Sequence, residues 1–232
     1  MPLSTIAFDA DDTLWANEHI FHLTEKRFRD LIARHTGEAD LGHSLLETEK
    51  RNLRYYGYGI KGFTLSMIET AIEVTGGQIP ASDIQEIIRA GRDMQDHPVE
   101  PLPHVEAVLA SLKQMYRLLV ITKGDLFDQE RKIAQSGLGE YFDGVEIVSE
   151  KTTETYHQIF EKYGDGPTRS MMVGNSVKSD ILPAVEAGAF GVHIPHDLTW
   201  AMEHAETPDE KAGFRQLSSI AELPAFLKSL PF

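Results

Sequence analysis

Ser4-Thr5-Ile6-Ala7-Phe8-Asp9-Ala10-Asp11-Asp12-Thr13-Leu14-Trp15 is an apolar run that ends abruptly in three acids within four positions. The segment from Leu3 to Phe8 is too short for a helix and β-branched enough for a buried strand, so Asp9 falls where a strand's carboxyl end meets its loop. Open α/β sheets place their chemistry there. Carboxylates crowded this closely repel one another unless a cation or a shared proton relieves them. Mg2+, which keeps waters and takes one or two protein carboxylates, suits such a site when it is open to phosphate, with Asp9 giving one oxygen. If Asp9 is a nucleophile, Asp11 two places on is placed to protonate a leaving oxygen and later to deprotonate water. A plainer reading is also open: Asp11, Asp12 and Thr13 are residue types that form a polar turn capping a following helix.

The chain has 232 residues, 41% of them apolar, which allows one large domain or a main domain with an insertion. There is no cysteine, so disulfides, thiolate zinc sites and a cysteine nucleophile drop out together. No apolar run is long enough to span a membrane, and Met1-Pro2-Leu3 enters the first strand without a leader pattern. The expectation is a cytoplasmic protein. A formal charge of −14 disfavours nucleic-acid and anionic-membrane surfaces, which need basic patches. A small phosphate ester remains compatible, because a local pocket with a metal and a lysine can hold it inside an acidic envelope.

After Trp15 the period becomes helical, with Ile20, Leu23, Phe28, Leu31 and Ile32 apolar among charged residues. Gly37 to Gly42 reads as a break. Helices are expected over Ser44–Arg54, Phe63–Thr75 and Ser82–Met94, the last capped by Ser82-Asp83. So much helix exceeds what a loop needs. It predicts an inserted α-helical cap over residues 16–97, within an α/β core of residues 1–15 and 98–232. The proline-rich His97–Pro103 segment is a stiff return.

From Val105 strands and helices alternate. Helices are expected over Val105–Met115, Leu126–Gln135, Thr153–Tyr163 and Lys178–Ala187, and strands over Leu118–Thr122, Val145–Val148, Ser170–Val173 and Phe190–Ile194. Repeated βα units argue for crossover connections and a doubly wound parallel sheet of the α/β class. Gly188 closes one helix. The tail from Phe214, with Leu217, Ile220, Leu223 and Leu227 at helical spacing, is expected to pack on the sheet.

Three further stretches share the first one's position at a strand end. Leu118-Leu119-Val120-Ile121-Thr122-Lys123-Gly124 ends in a hydroxyl, a place to hold a phosphate oxygen with a side chain and nearby backbone N–H groups such as that of Lys123. Lys151 precedes a helix N-terminus, where its charge opposes the dipole, so another reason must keep it there. Met171-Met172-Val173-Gly174-Asn175-Ser176-Val177-Lys178-Ser179-Asp180 runs from an apolar strand through a glycine and a polar loop to an acid. In isolation each also has a structural reading: a strand-end threonine, a surface lysine, a turn with a helix cap.

Asp9-Ala10-Asp11-Asp12-Thr13-Leu14 resembles the first motif of the haloacid dehalogenase superfamily, and the three later stretches resemble the other motifs, in order. The resemblance spans Asp9 to Asp180. It implies a Rossmann-like core with strand one central, a helical cap of the first type, and Mg2+-dependent phosphatase chemistry through an aspartyl phosphate. By the same resemblance Asp9, Asp11, Thr122 and Lys151 are catalytic, and Asp9, Asp11, Asn175 and Asp180 surround the metal. Asn175 stands where the family has an acid, an amide oxygen without charge. The prolines that commonly follow the lysine are replaced by Thr152 and Glu154.

Two other readings stand beside this one. Dehalogenases of the superfamily attack carbon with the same first aspartate, but lack the second, so Asp11 favours the phosphatase. A non-catalytic relative that binds a phospho-ligand would fit Asn175 alone. The implied partner is a small phosphate ester, with no nucleic acid and no membrane, in a monomer or homodimer. Specificity is expected from the cap, where Arg51, Arg54 and Lys61, with Tyr55, Tyr56 and Tyr58, would meet an anionic or aromatic leaving group, or form a solvated face. His193, Pro195, His196, Asp197, Trp200 and His204 match no zinc spacing and read as a rim loop.

Overall fold

A computed structural model describes residues 2–36, 41–198, 200–203, 205 and 213–230. Among the described residues, six parallel strands form one sheet in the order β3-β2-β1-β4-β5-β6. They are β1 (Thr5–Phe8), β2 (Arg117–Lys123), β3 (Gly144–Val148), β4 (Ser170–Gly174), β5 (Phe190–His193) and β6 (Phe214–Gln216). β1 is central, as the resemblance implies, and its four residues are buried.

The sheet is covered on both faces, which is why its strands read as unbroken apolar runs. Ile6, Phe8, Leu118, Val120, Met171 and Val173 point to one side, where they pack with α5 (Val105–Leu112) and α9 (Leu223–Ser229). Ala7, Leu119, Ile121 and Met172 point to the other, against Tyr156, Ile159 and Phe160 of α7 (Thr153–Tyr163) and Ala184 of α8 (Leu182–Glu186). The alternation is the period of two that a strand imposes.

Between β1 and β2 the chain inserts α1 (Glu18–Thr36), α2 (Leu41–Tyr56), α3 (Ile60–Val74) and α4 (Ala81–Gln95). By compactness the molecule divides into an α/β unit, Met1–Glu18, Val99–Lys123 and Gln129–Phe232, and a helical unit, His19–Pro98 with Gly124–Asp128. The helical unit has its own core of Phe28, Leu31, Ile32, Leu41, Leu45, Phe63, Met67, Ile87 and Met94. Gly91 lets α4 lie close to α3, since a Cβ there would run into Thr64. Within the α/β unit, Trp15 bridges to Pro101 and Leu102 donates to the Leu14 carbonyl, so the two ends of the insertion run side by side.

Three local expectations need correction. Pro80, not Ser82-Asp83, occupies the N-cap of α4; Ser82 and Asp83 lie inside its first turn, where Asp83 meets His35 of α1 at 2.6 Å. The expected helix Lys178–Ala187 is a π turn, Val177–Ile181, followed by the short α8, because Pro183 in the first turn has no N–H to continue the ladder. The tail does pack on the sheet through Leu217, Ile220, Leu223 and Leu227, but its start is not helical: Phe214–Gln216 pairs with β5 as an edge strand, and three residues are too few for a period of two to be read. Gly37 to Asp40, in the expected break, lie outside the described residues.

Candidate active site

The strand order reverses between the parallel neighbours β1 and β4: from β1 the chain proceeds to β2 and β3 on one side, and from β4 to β5 and β6 on the other. A crevice at this point is where such sheets bind ligands. Asp9 follows β1 directly, and Asn175 follows β4 directly, one on each side. In register, Phe8 lies opposite both Val120 and Val173, so β2 brings Thr122 and Lys123 to the same edge.

Lys151 is buried, 5% exposed, and its Nζ lies 2.5 Å from Asp9 Oδ1 and 2.6 Å from Asp180 Oδ1. A surface lysine is thereby excluded. Asp180 is fully buried and its Oδ2 accepts from the Ser176 N–H at 2.9 Å. A Cβ at Gly174 would run into the Asp180 carboxylate, which explains the glycine at that strand end. One lysine thus faces two carboxylates. Burial and the nearby Asp180 charge push Asp9 up to about 7 against the opposing pull of Lys151. The two carboxylates hold Lys151 above its ordinary value although burial works the other way, so it stays charged.

Thr13 ties the first loop to the fourth. Its Oγ1 lies 3.3 Å from Asp9 Oδ2 and accepts from the Asn175 N–H at 3.1 Å. The Asn175 amide lies against Asp9 Oδ2, Thr13 Oγ1 and the Asp11 carbonyl. With its nitrogen inward it donates to them at 3.2, 3.2 and 3.3 Å, the orientation that satisfies both ends.

The acids after β1 divide sharply. Asp12 takes a left-handed conformation, φ 59°, and its carboxylate accepts from the N–H groups of Asn17 and Glu18 at 2.8 and 3.0 Å. It is the cap at the head of α1. Asp11 caps nothing. Its Oδ1 accepts from Trp15 Nε1 at 2.8 Å, and both its oxygens face Lys132 of α6 (Leu126–Ser136), at 3.0 and 3.2 Å. Gln129, also on α6, donates to Asp11 Oδ2 at 3.2 Å and to Thr122 Oγ1 at 2.6 Å.

Lys123 Nζ is held by Glu203 at 2.7 Å and Glu150 at 3.4 Å. Glu203 also accepts from Ser176 Oγ at 2.6 Å. Burial pushes the Glu203 carboxyl up, but Lys123 and the serine hydrogen bonds prevail and bring it down to about 2. Gln129, Lys132 and Glu203 were not singled out from the sequence, and Thr13 and Ser176 were read only as members of polar turns.

Arg51, Arg54 and Lys61 belong to the helical unit. Arg51 bridges Glu69 and Glu73, each at 2.7 Å; Arg54 lies over the Tyr55 ring at 4.6 Å; Lys61 pairs with Asp125 at 2.9 Å. His193 places Nε2 3.0 Å from the Asn175 carbonyl, and His196 lies 3.7 Å from Asp12. His204 lies outside the described residues. Among the described residues no three His, Cys, Asp or Glu side chains converge as a metal centre. The oxygens that do converge are of mixed kind, the Asp9 and Asp180 carboxylates and the Asp11 carbonyl, with the Asn175 amide turning its nitrogen to Asp9 and Asp11. Hard oxygens with surplus negative charge fit a magnesium ion that keeps waters.

The fold and this cluster define a doubly wound α/β protein with an aspartate-centred polar site at the sheet's switch point. The model of the haloacid dehalogenase-like hydrolases matches residues 3–188, and the chain belongs to that family. It is 38% identical to a haloacid dehalogenase-like family hydrolase from Xanthomonas campestris, over 98% of this chain and 91% of that one, with a TM-score of 0.86. It is 27% identical over 215 residues to the glyceraldehyde 3-phosphate phosphatase of Methanothermobacter thermautotrophicus, covering 88% of this chain and 91% of that protein. The HAD-hydrolase YfnB of Bacillus subtilis, whose crystal structure is bound to magnesium, shares the fold with a TM-score of 0.65 and 15% identity, over 98% of this chain and 99% of that one. Among the described residues no helix is long and apolar enough to cross a membrane.

Proposed function

We propose that the protein is a Mg2+-dependent phosphate monoester hydrolase acting on a small phosphorylated metabolite through an aspartyl phosphate at Asp9. The observation that carries this reading is the buried Lys151, in contact with both Asp9 and Asp180. A lysine and a metal are what two crowded carboxylates need before either can approach a phosphate dianion. The phosphatase relative from Methanothermobacter supports the same reaction class.

Asp9 attacks phosphorus in line; the bond to the leaving oxygen breaks as that oxygen takes a proton from Asp11. Thr122 Oγ1 accepts from Gln129, so its own proton, aimed weakly at the Lys123 carbonyl at 3.4 Å, can turn to a phosphoryl oxygen. The Lys123 N–H is the second donor. Lys151 keeps its charge and offsets that of the phosphoryl group. Asp9, Asp180 and the Asp11 carbonyl would hold Mg2+, joined by Asn175 once its amide turns its oxygen inward; the ion would supply positive charge and a fixed orientation for phosphate. To the helical unit we assign selection of the leaving group, with Arg51, Arg54 and Lys61 as the recognition residues; Arg51 enters that role already shared by two glutamates.

The test is p-nitrophenyl phosphate hydrolysis with and without Mg2+, followed by a screen of sugar phosphates, phosphoglycolate-like acids and nucleoside monophosphates. Phosphate release that requires Mg2+ is expected. Chloride release from a 2-haloacid without phosphate-ester turnover would put the dehalogenase reading in its place. Binding of phosphorylated metabolites without turnover would favour the non-catalytic relative.

A further inference from the structure

Helix α6 carries four buried polar residues, Asp128, Gln129, Lys132 and Ser136, of which Gln129 and Lys132 lie three positions apart and therefore on one face. On an ordinary amphipathic helix the sheet-facing stripe would be apolar. Lys132 is 7% exposed, and an ammonium so placed is retained only where acceptors meet it. Its Nζ reaches both oxygens of Asp11 and, at 2.7 Å, Asn17 Oδ1. Trp15 Nε1 donates to one Asp11 oxygen and Gln129 Nε2 to the other, so α6 and Trp15 grip the carboxyl from both sides. Contacts on both oxygens fix the orientation of the Asp11 carboxyl and the place of each oxygen.

We propose that Gln129 and Lys132 are positioning residues that hold Asp11 ready to take the proton of the water that hydrolyses the phosphorylated Asp9. This rests on the phosphatase reading above. In that step the water oxygen bonds to phosphorus and the bond from phosphorus to the Asp9 oxygen breaks. The water proton passes to Asp11; inorganic phosphate and the Asp9 carboxylate are released. Gln129 spans Asp11 and Thr122, so one side chain keeps the base and the phosphoryl-binding hydroxyl in register.

p-Nitrophenyl phosphate separates the two halves of the reaction, because its leaving group departs with little help from an acid. In stopped-flow measurements at saturating Mg2+, Lys132→Met is expected to lower kcat about 10- to 100-fold, the usual size of such a supporting contact. KM should fall in parallel, leaving kcat/KM nearly unchanged, and a burst of p-nitrophenolate stoichiometric with protein should precede the slow steady state. A merely structural role would lower kcat and kcat/KM together without a burst. That result, or unchanged turnover, overturns the proposal. Should Lys132→Met fail to fold, Asn17→Ala removes only the second anchor of Lys132; the same pattern in weaker form supports the proposal, and its absence overturns it. A wild-type protein without Mg2+-dependent turnover overturns the phosphatase reading, and this inference with it.

Discussion

The two units of the molecule use the same charged side chains in opposite ways. In the helical unit the ion pairs are at the surface: the side chains of Arg51, Glu69 and Glu73 are 44%, 36% and 51% exposed, and those of Arg27 and Asp93 56% and 54%. Water and salt screen such pairs, and they contribute little. In the α/β unit Lys151 and Asp180 are at 1% side-chain exposure, with Asp9 beside them. There the loss of solvation is large, the attraction is large, and removing one partner strands the others. Charge that merely decorates a helix can be deleted quietly. Charge gathered under a strand end cannot, because each member there is balanced by the others.

Asp9→Asn tests this contrast most severely. Turnover should fall by at least about 10^3-fold, since the proposed nucleophile is gone. Yet the metal-free protein should become more stable above pH 7, because Asp180 alone suffices for Lys151. The folded-state value of Asp9, about 7, lies above its ordinary 3.8, so the folded state holds this proton more tightly than the unfolded one. Its contribution to stability is therefore full below about pH 4 and is lost as pH rises through 7. Thermal melts from pH 4 to 8 should show this loss, roughly 2–4 kcal/mol, in the wild type and not in the variant. Parallel curves would mean that Asp9 is not the surplus charge.

Next in size is Lys151→Met, which leaves two buried carboxylates without a cation. A destabilisation of about 3–5 kcal/mol in denaturant titrations is expected at neutral pH, together with loss of activity. Asn175→Asp restores a charge to the oxygen donors, and Mg2+ should bind about tenfold more tightly in a calorimetric titration. Weaker binding would show that Asn175 does not face the ion. At the small end, Arg51→Ala should leave the melting temperature where it was, while raising KM for the physiological substrate and sparing p-nitrophenyl phosphate. A clear drop in melting temperature would erase the distinction between the units.

The sheet could be read from the sequence because buried parallel strands are apolar throughout and are punctuated by polar ends. Asp9, Thr122, Lys151 and Asp180 stand at or soon after such ends. The helical insertion was equally plain in its period. What escaped detection lay in side chains whose partners are far along the chain. Gln129 and Lys132 sit in Leu126-Phe127-Asp128-Gln129-Glu130-Arg131-Lys132, a run with no apolar stripe to show which polar residues turn inward. Lys132 finds Asp11 from 121 residues away. Glu203 is similar: it joins Lys123 to Ser176, 80 and 27 residues away, from a single 3-10 turn too short to show a period. The first-stretch ambiguity resolved by division of labour, with Asp12 as the helix cap and Asp11 free of that duty.

The central claim is that the Asp9 carboxylate accepts the phosphoryl group. The direct measurement is to quench a reaction with p-nitrophenyl phosphate in acid during turnover, reduce the protein with borohydride, and map the peptides by mass spectrometry. An acyl phosphate is reduced to the alcohol, so conversion of residue 9 to homoserine is the predicted result, absent without substrate and in Asp9→Asn. Active protein that shows no modification at Asp9, or one at another carboxylate, would contradict the account.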